Sequence, residues 1–443
     1  MTGADPRRPR RPNVCNATTP AAGWRAILLV FAAAALAGSL VAAHTIAGTA
    51  PQATVQAAPT RPAPPTQEVL PRKAPTTVAP GSCLQCHDAL TKQVIVHAPA
   101  ADDCSICHTQ QGKEHRFTLA APGAALCTTC HTVTTPSDKF VHGPVAVGDC
   151  MTCHDPHGGA NPKLLRAKGS ALCETCHVEM KARLAESRFQ HAPVPEDCTK
   201  CHNPHSSPFK YQLRSEGASL CFSCHKDVER GIAGAAVKHD AVTMGRQCLN
   251  CHKAHTADIR PQLRGATMPL CLKCHDREVA APGGTLPNIK AWLAANPVAH
   301  GPIRQQDCAA CHKPHGSENF RLLKQDYPPK FYSPFDPQNY ELCFLCHQPD
   351  LVKVERTTTV TGFRDGDRNL HFLHVNRPEK GRTCRACHEV HSSTKPKHIR
   401  ENVPYGSWAL PINYESAEGG GRCAPGCHMP VEYRRAPKET PKS

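Results

Sequence analysis

Aromatic side chains are scarce: Trp, Tyr and Phe together make up 5% of the 443 residues. A chain this long has the volume for a large apolar core, yet the bulky residues that build one are few. Something other than side chains must fill the interior. The same shortage excludes an all-round apolar membrane bundle, a coiled coil and a conventional α/β enzyme rich in Val, Ile and Leu. What the chain has in excess is 42 Pro, 29 Gly, 27 Cys and 28 His. Disulfide scaffolds reach such cysteine densities only in short chains, so the cysteines must serve another purpose.

Their spacing supplies it. Twelve C-x-x-C-H pentapeptides are present. The first six are Cys83, Cys86 and His87; Cys104, Cys107 and His108; Cys127, Cys130 and His131; Cys150, Cys153 and His154; Cys173, Cys176 and His177; Cys198, Cys201 and His202. The second six are Cys221, Cys224 and His225; Cys248, Cys251 and His252; Cys271, Cys274 and His275; Cys308, Cys311 and His312; Cys343, Cys346 and His347; Cys384, Cys387 and His388. A thirteenth motif, Cys423, Cys427 and His428, carries one extra residue, and only Cys15 is left over. This is the attachment signature of c-type haem. Two thiols reach the two vinyl groups of one porphyrin, and the next residue presents an imidazole to the iron. Structural zinc needs four ligands in a closed tetrahedron, and reactive thiol pairs belong to a βαβ context that is missing here. About thirteen covalently attached haems c, with their iron, are therefore expected.

The formal charge of +15 does not imply a nucleic-acid partner. Two propionates on each of thirteen haems bring the whole to about −11 with ferrous iron or about +2 with ferric iron. No recognised nucleic-acid motif accompanies the basic residues.

The chain also repeats. Six leading histidines, His97, His142, His191, His239, His300 and His374, each precede a pair of haem motifs. Trailing histidines follow three residues after a proximal one at His157, His205, His255, His315 and His391, and His115 takes that role in the first repeat. In four repeats the paired motifs start 23 residues apart, and in the last two they stretch to 35 and 39. These twelve histidines are candidate second axial ligands, with His371 and His398 left over, so bis-histidine ligation throughout is expected. Which histidine serves which haem is not readable from spacing. Leu165-Arg166, Leu213-Arg214, Leu263-Arg264 and Leu323-Lys324 also recur, with a cation placed either to meet a propionate or to face solvent.

The run Cys150-Met-Thr-Cys-His-Asp-Pro-His157, echoed at Cys198–His205 and Cys308–His315, resembles bacterial multihaem cytochromes c of the doubled C-x-x-C-H class. These are similar to class III-like periplasmic electron carriers and to the cytochrome component of outer-membrane porin–cytochrome conduits. The resemblance covers about residues 82–430. It implies close-packed haems in an extended array, bis-histidine ligation and electron transfer rather than catalysis, with no catalytic residue assigned. The fold implied is short helices around the haem motifs, Pro/Gly-rich loops and almost no sheet.

The expected layout starts with a basic cytoplasmic stretch over 1–25 and an anchor or signal peptide over 26–47. A Pro/Ala/Thr-rich linker over 48–81 comes next, then a tridecahaem domain over 82–430 and a disordered tail over 431–443. Within the haem domain a lone haem occupies 82–96 and six two-haem repeats occupy 97–430. The apolar run Ala26–Ala43 behind five arginines reads as an export signal long enough to be retained. The favoured placement is thus inner-membrane anchored with the haem domain in the periplasm; signal cleavage would leave it periplasmic or extracellular. Redox proteins are the expected partners: a quinol-side donor and a distal acceptor cytochrome or conduit. Two other readings stay open. One is a multihaem reductase of a small oxyanion, acting at the unusual Cys423–His428 site. The other is an extracellular filament in which His371 or His398 ligates a neighbour's haem.

Overall fold

The computed structural model describes residues 81–281 and 284–436. Regular structure is sparse, as the residue pattern predicts: many short helices and 3-10 turns, two-stranded antiparallel pairs and one three-stranded sheet.

The helical turns sit on the cysteine motifs for local reasons. At the first motif of a repeat the chain enters a 3-10 turn over Cys104–Ile106, Cys150–Thr152 or Cys198–Lys200. The aspartate before each turn, Asp103, Asp149 or Asp197, caps it by accepting a backbone N–H. At the second motif a short α-helix, such as Ser170–Cys173 or Ala218–Phe222, starts at a glycine with positive φ. Gly169 (φ 60°) is needed there twice over, since a Cβ would lie 2.7 Å from the Glu196 carbonyl oxygen. Gly169→Ala is expected to cost about 1–2 kcal/mol for the left-handed backbone alone, read as a lower midpoint in thermal unfolding.

Strand pairs stitch consecutive repeats together. The two residues before each of the first five leading histidines pair antiparallel with the two after the trailing histidine of the next repeat. Thus Ile95–Val96 pairs with Gly158–Gly159, Phe140–Val141 with Ser206–Ser207, and Phe189–Gln190 with Thr256–Ala257. Val237–Lys238 pairs with Gly316–Ser317, and Val298–Ala299 with Ser392–Ser393. Each pair is extended by a bond from the leading histidine's N–H to the trailing histidine's carbonyl, for example His97 to His157 at 2.9 Å and His191 to His255 at 2.8 Å. These recurrent pairs were not legible in the sequence, because two residues are too few to show alternation.

Among the described residues the side-chain core is one small cluster, Tyr327, Tyr340, Val352 and Val375, where the fifth repeat meets the sixth.

One boundary changes. Val431–Arg434, expected to begin the disordered tail, is the third strand of the sheet with Tyr414–Ala417 and Gly420–Cys423. Inner-membrane anchoring is corrected as well: no helix among the described residues is long and apolar enough to cross a membrane. The run that suggested it, with the basic N-terminus, residues 48–80 of the linker and residues 437–443, lies outside the described residues.

Candidate functional site

Every one of the thirteen motif histidines faces a second imidazole. The second motif of each repeat pairs with its own leading histidine: His131 with His97, His177 with His142, His225 with His191, His275 with His239, His347 with His300 and His428 with His374. The first motif of each repeat pairs instead with the trailing histidine of the next: His108 with His157, His154 with His205, His202 with His255, His252 with His315 and His312 with His391. The lone first motif follows the second rule, His87 facing His115. The last first-motif histidine, His388, has no repeat beyond it and faces His371 on the helix Leu370–Val375.

The separations fall between 5.9 Å for His87 with His115 and 6.5 Å for His374 with His428. An iron held between two imidazoles needs about 6 Å between ring centres, from ~2 Å for each metal–nitrogen bond and ~1 Å from each nitrogen to its ring centre. The donor set and its spacing fit haem iron. Stacked rings in contact would lie closer.

The second ring nitrogen is engaged in a way that leaves Nε2 free. Nδ1 lies 2.8 Å from the Pro156 carbonyl oxygen for His97, 2.8 Å from Pro314 for His239 and 3.1 Å from Ala254 for His191. In each case the acceptor is the residue just before the partner repeat's trailing histidine. On the proximal side His154, His202, His252 and His388 reach the carbonyls of Lys163, Tyr211, Pro261 and Lys397 at 2.8–2.9 Å. A neutral imidazole donating from Nδ1 to a carbonyl presents its Nε2 lone pair to a metal. Burial holds His371 down to about 3 and His391 down to about 4, so both are neutral at physiological pH.

The carbonyl that orients the proximal ring comes from a turn that sequence reasoning missed. Lys163, Tyr211, Arg321 and Lys397 all have φ between 52° and 64°, which aims the carbonyl back at the ring. The only outward signs were the recurring Leu-Arg pairs. Leu165, Leu213, Leu263 and Leu323 bridge the proximal histidines, while Arg166 Nε donates to the Met151 carbonyl at 2.6 Å. The cation thus steadies the motif turn itself.

The thiols lie in order along the chain. Six pairs of thiols influence one another's ionisation most strongly: Cys83 with Cys104, Cys127 with Cys150, Cys173 with Cys198, Cys221 with Cys248, Cys271 with Cys308 and Cys343 with Cys384. Between them Cys107 lies near Cys127, Cys153 near Cys176, Cys201 near Cys224, Cys251 near Cys274, Cys311 near Cys346 and Cys387 near Cys423 and Cys427. None of the described cysteines is in a disulfide. Burial and the neighbouring sulfur raise the Cys173 thiol to about 12 and that of Cys221 to about 11, whereas the hydrogen bond from Cys271 lowers Cys308 to about 7.

Of the leftover histidines, His371 joins a pair and His398 does not. His398 stands edge-on to His300 at 5.3 Å, its Nδ1 3.1 Å from the Val298 carbonyl oxygen. Nothing in its spacing separated it from His371; the difference lies in the end of the array, where only one extra partner is needed.

The doubled CXXCH motif family matches five stretches, residues 97–135, 142–182, 191–230, 239–280 and 300–351. Each contains a leading histidine and two motifs. The chain is a multihaem cytochrome c of this doubled class, and its paired motifs mark covalently bound c-type haem with iron. The motifs at Cys83, Cys384 and Cys423 lie outside the matched stretches, and no curated protein matches the chain.

Proposed function

We propose that this protein carries electrons along an unbranched row of thirteen haems, ordered in space as their motifs are ordered in sequence. The observation behind this reading is the unbroken run of neighbouring sulfurs from Cys83 to Cys423, which places each attachment site within electrostatic reach of the next. Haem iron supplies the one-electron chemistry; the chain supplies spacing, ligation and potential. The proposed axial ligands are the thirteen motif histidines with His97, His115, His142, His157, His191, His205, His239, His255, His300, His315, His371, His374 and His391. With each motif histidine facing a partner in its own chain, no iron is left open to a substrate and none calls for a neighbour's histidine. That favours conduction over oxyanion reduction and over a filament cross-ligated by His371. The row would run from a donor redox protein at one end to an acceptor cytochrome or conduit at the other, in the periplasm or outside the cell.

Intact mass of the native protein tests the count, and electron paramagnetic resonance of the oxidised protein tests the ligation. Thirteen haems, all low-spin, are expected. Twelve haems, or a high-spin signal from the full-length protein, would overturn the ligand set. His315→Ala provides a sharper check: one haem in thirteen, that at Cys248 and Cys251, should turn high-spin while the rest keep their spectrum.

A further inference from the structure

Where the fifth repeat meets the sixth, the cations Lys330, Arg385 and Arg400 gather near a single carboxylate, Glu389. A cavity of about 80 Å³ lies there, walled by Lys330, Phe331, Thr383, Arg385, Arg400 and Val403. Arg400 is nearly buried and forms a 3.0 Å ion pair with Glu389, while its Nε donates to the His388 carbonyl oxygen at 3.0 Å. Among the described residues Arg385 makes no close ion pair, although its charge still favours the Glu389 carboxylate, and its buried Nε makes no hydrogen bond. Its backbone N–H donates to the Tyr327 hydroxyl at 2.8 Å, which fixes the start of the side chain. Arg385 also lies close enough to Arg400 for the two cations to disfavour one another, and together with Arg321 it bears on His391.

Three cations thus line a space in which one of them has a buried donor left idle. An unsatisfied buried guanidinium N–H costs more than a neutral group would, and a planar guanidinium is suited to carboxylates and phosphates. At roughly 30 Å³ for each water, the cavity has room for a carboxylate or a small tetrahedral oxyanion. The corresponding motif positions of earlier repeats are Met151, Thr199, Leu249 and Ala309, so the arginine is particular to this junction and not part of the attachment chemistry.

We infer that the cavity at Lys330, Arg385 and Arg400 is an anion site, filled by a carboxylate or oxyanion that bridges Arg385 and its cationic neighbours. Two sources share that chemistry: a propionate of an adjoining haem, or a free oxyanion such as phosphate. The first source rests on the haem reading above; the second does not.

The test uses the haem-loaded protein and Arg385→Met, a substitution that copies the second repeat and so should fold. Phosphate binding is measured by calorimetry at constant ionic strength, and midpoint potentials are titrated between pH 6 and 8. Saturable phosphate binding to the native protein, lost in the variant, assigns a free oxyanion. No phosphate binding, with one midpoint in the variant gaining a dependence on pH that the native protein lacks, assigns a propionate released to titrate. A mere loss of nearby charge would instead shift that midpoint equally at every pH. If phosphate does not bind and the variant's midpoints move in parallel or not at all, the site is overturned. A failure of the haem reading would appear separately, as missing mass at Cys384 and Cys387.

Discussion

Without haem attachment the chain is expected not to fold. Apoprotein, obtained by expression without export or by replacing the motif cysteines with alanine, should give a coil-like far-ultraviolet spectrum, no cooperative melt and rapid proteolysis throughout residues 81–436. The bookkeeping is one-sided. Among the described residues, buried apolar side chains are few and several are alanines: Leu184, Ala235, Ala257, Tyr327, Tyr340, Val352, Val375, Ala386, Val403, Ile412 and Tyr433. So small a set of buried apolar side chains cannot by itself offset the entropy of ordering the chain. Covalent haem and iron–imidazole bonds must make up the difference, as metal does in small metal-dependent domains. A cooperative thermal transition in the apoprotein would refute this.

Removing one haem from the middle should cut the row in two. Cys221→Ala with Cys224→Ala takes away the attachment point that neighbours Cys248 on one side and Cys201 on the other. The expected protein carries twelve haems, all of which still reduce with dithionite. Electron flow from a donor at one end to an acceptor at the other should fall by orders of magnitude. The same pair of substitutions at Cys83 and Cys86 shortens the row from its end and should leave transport through the remainder largely intact. Current across a protein monolayer on an electrode separates the two variants. Equal, small losses from both would mean that parallel routes exist and that the linear order is wrong.

Much of this was legible in the residues, and unevenly. The motifs announce attachment sites because thioether chemistry fixes their spacing, and the twelve candidate distal histidines stand at offsets that recur. What spacing could not convey was the rule of pairing. His108 faces His157 from the following repeat, not His97, the leading histidine of its own. That choice is made by two-residue strand pairs such as Ile95–Val96 with Gly158–Gly159, too short to leave a periodic trace. The left-handed turns at Lys163, Tyr211, Arg321 and Lys397 escaped notice for a related reason: none is a glycine, so nothing in the residue type signals the positive φ. His371 and His398 looked alike in the sequence, and only the position of the last repeat tells them apart.

The pairing rule has a bearing on how such a molecule changes length. Because each first-motif histidine is completed from the next repeat, the joint between any two neighbours has the same form. Removing 191–238 as a block would bring His154 to His255 in place of His205, and every imidazole would still find a mate. Removing half a block, such as 215–238, would take away His225 and strand His191. Span is therefore quantised in steps of two redox centres, and the ends can stay as they are: His115 closes one and His371 the other. A lineage can lengthen or shorten this conductor by whole links to suit the gap it must cross, without redesigning either terminus.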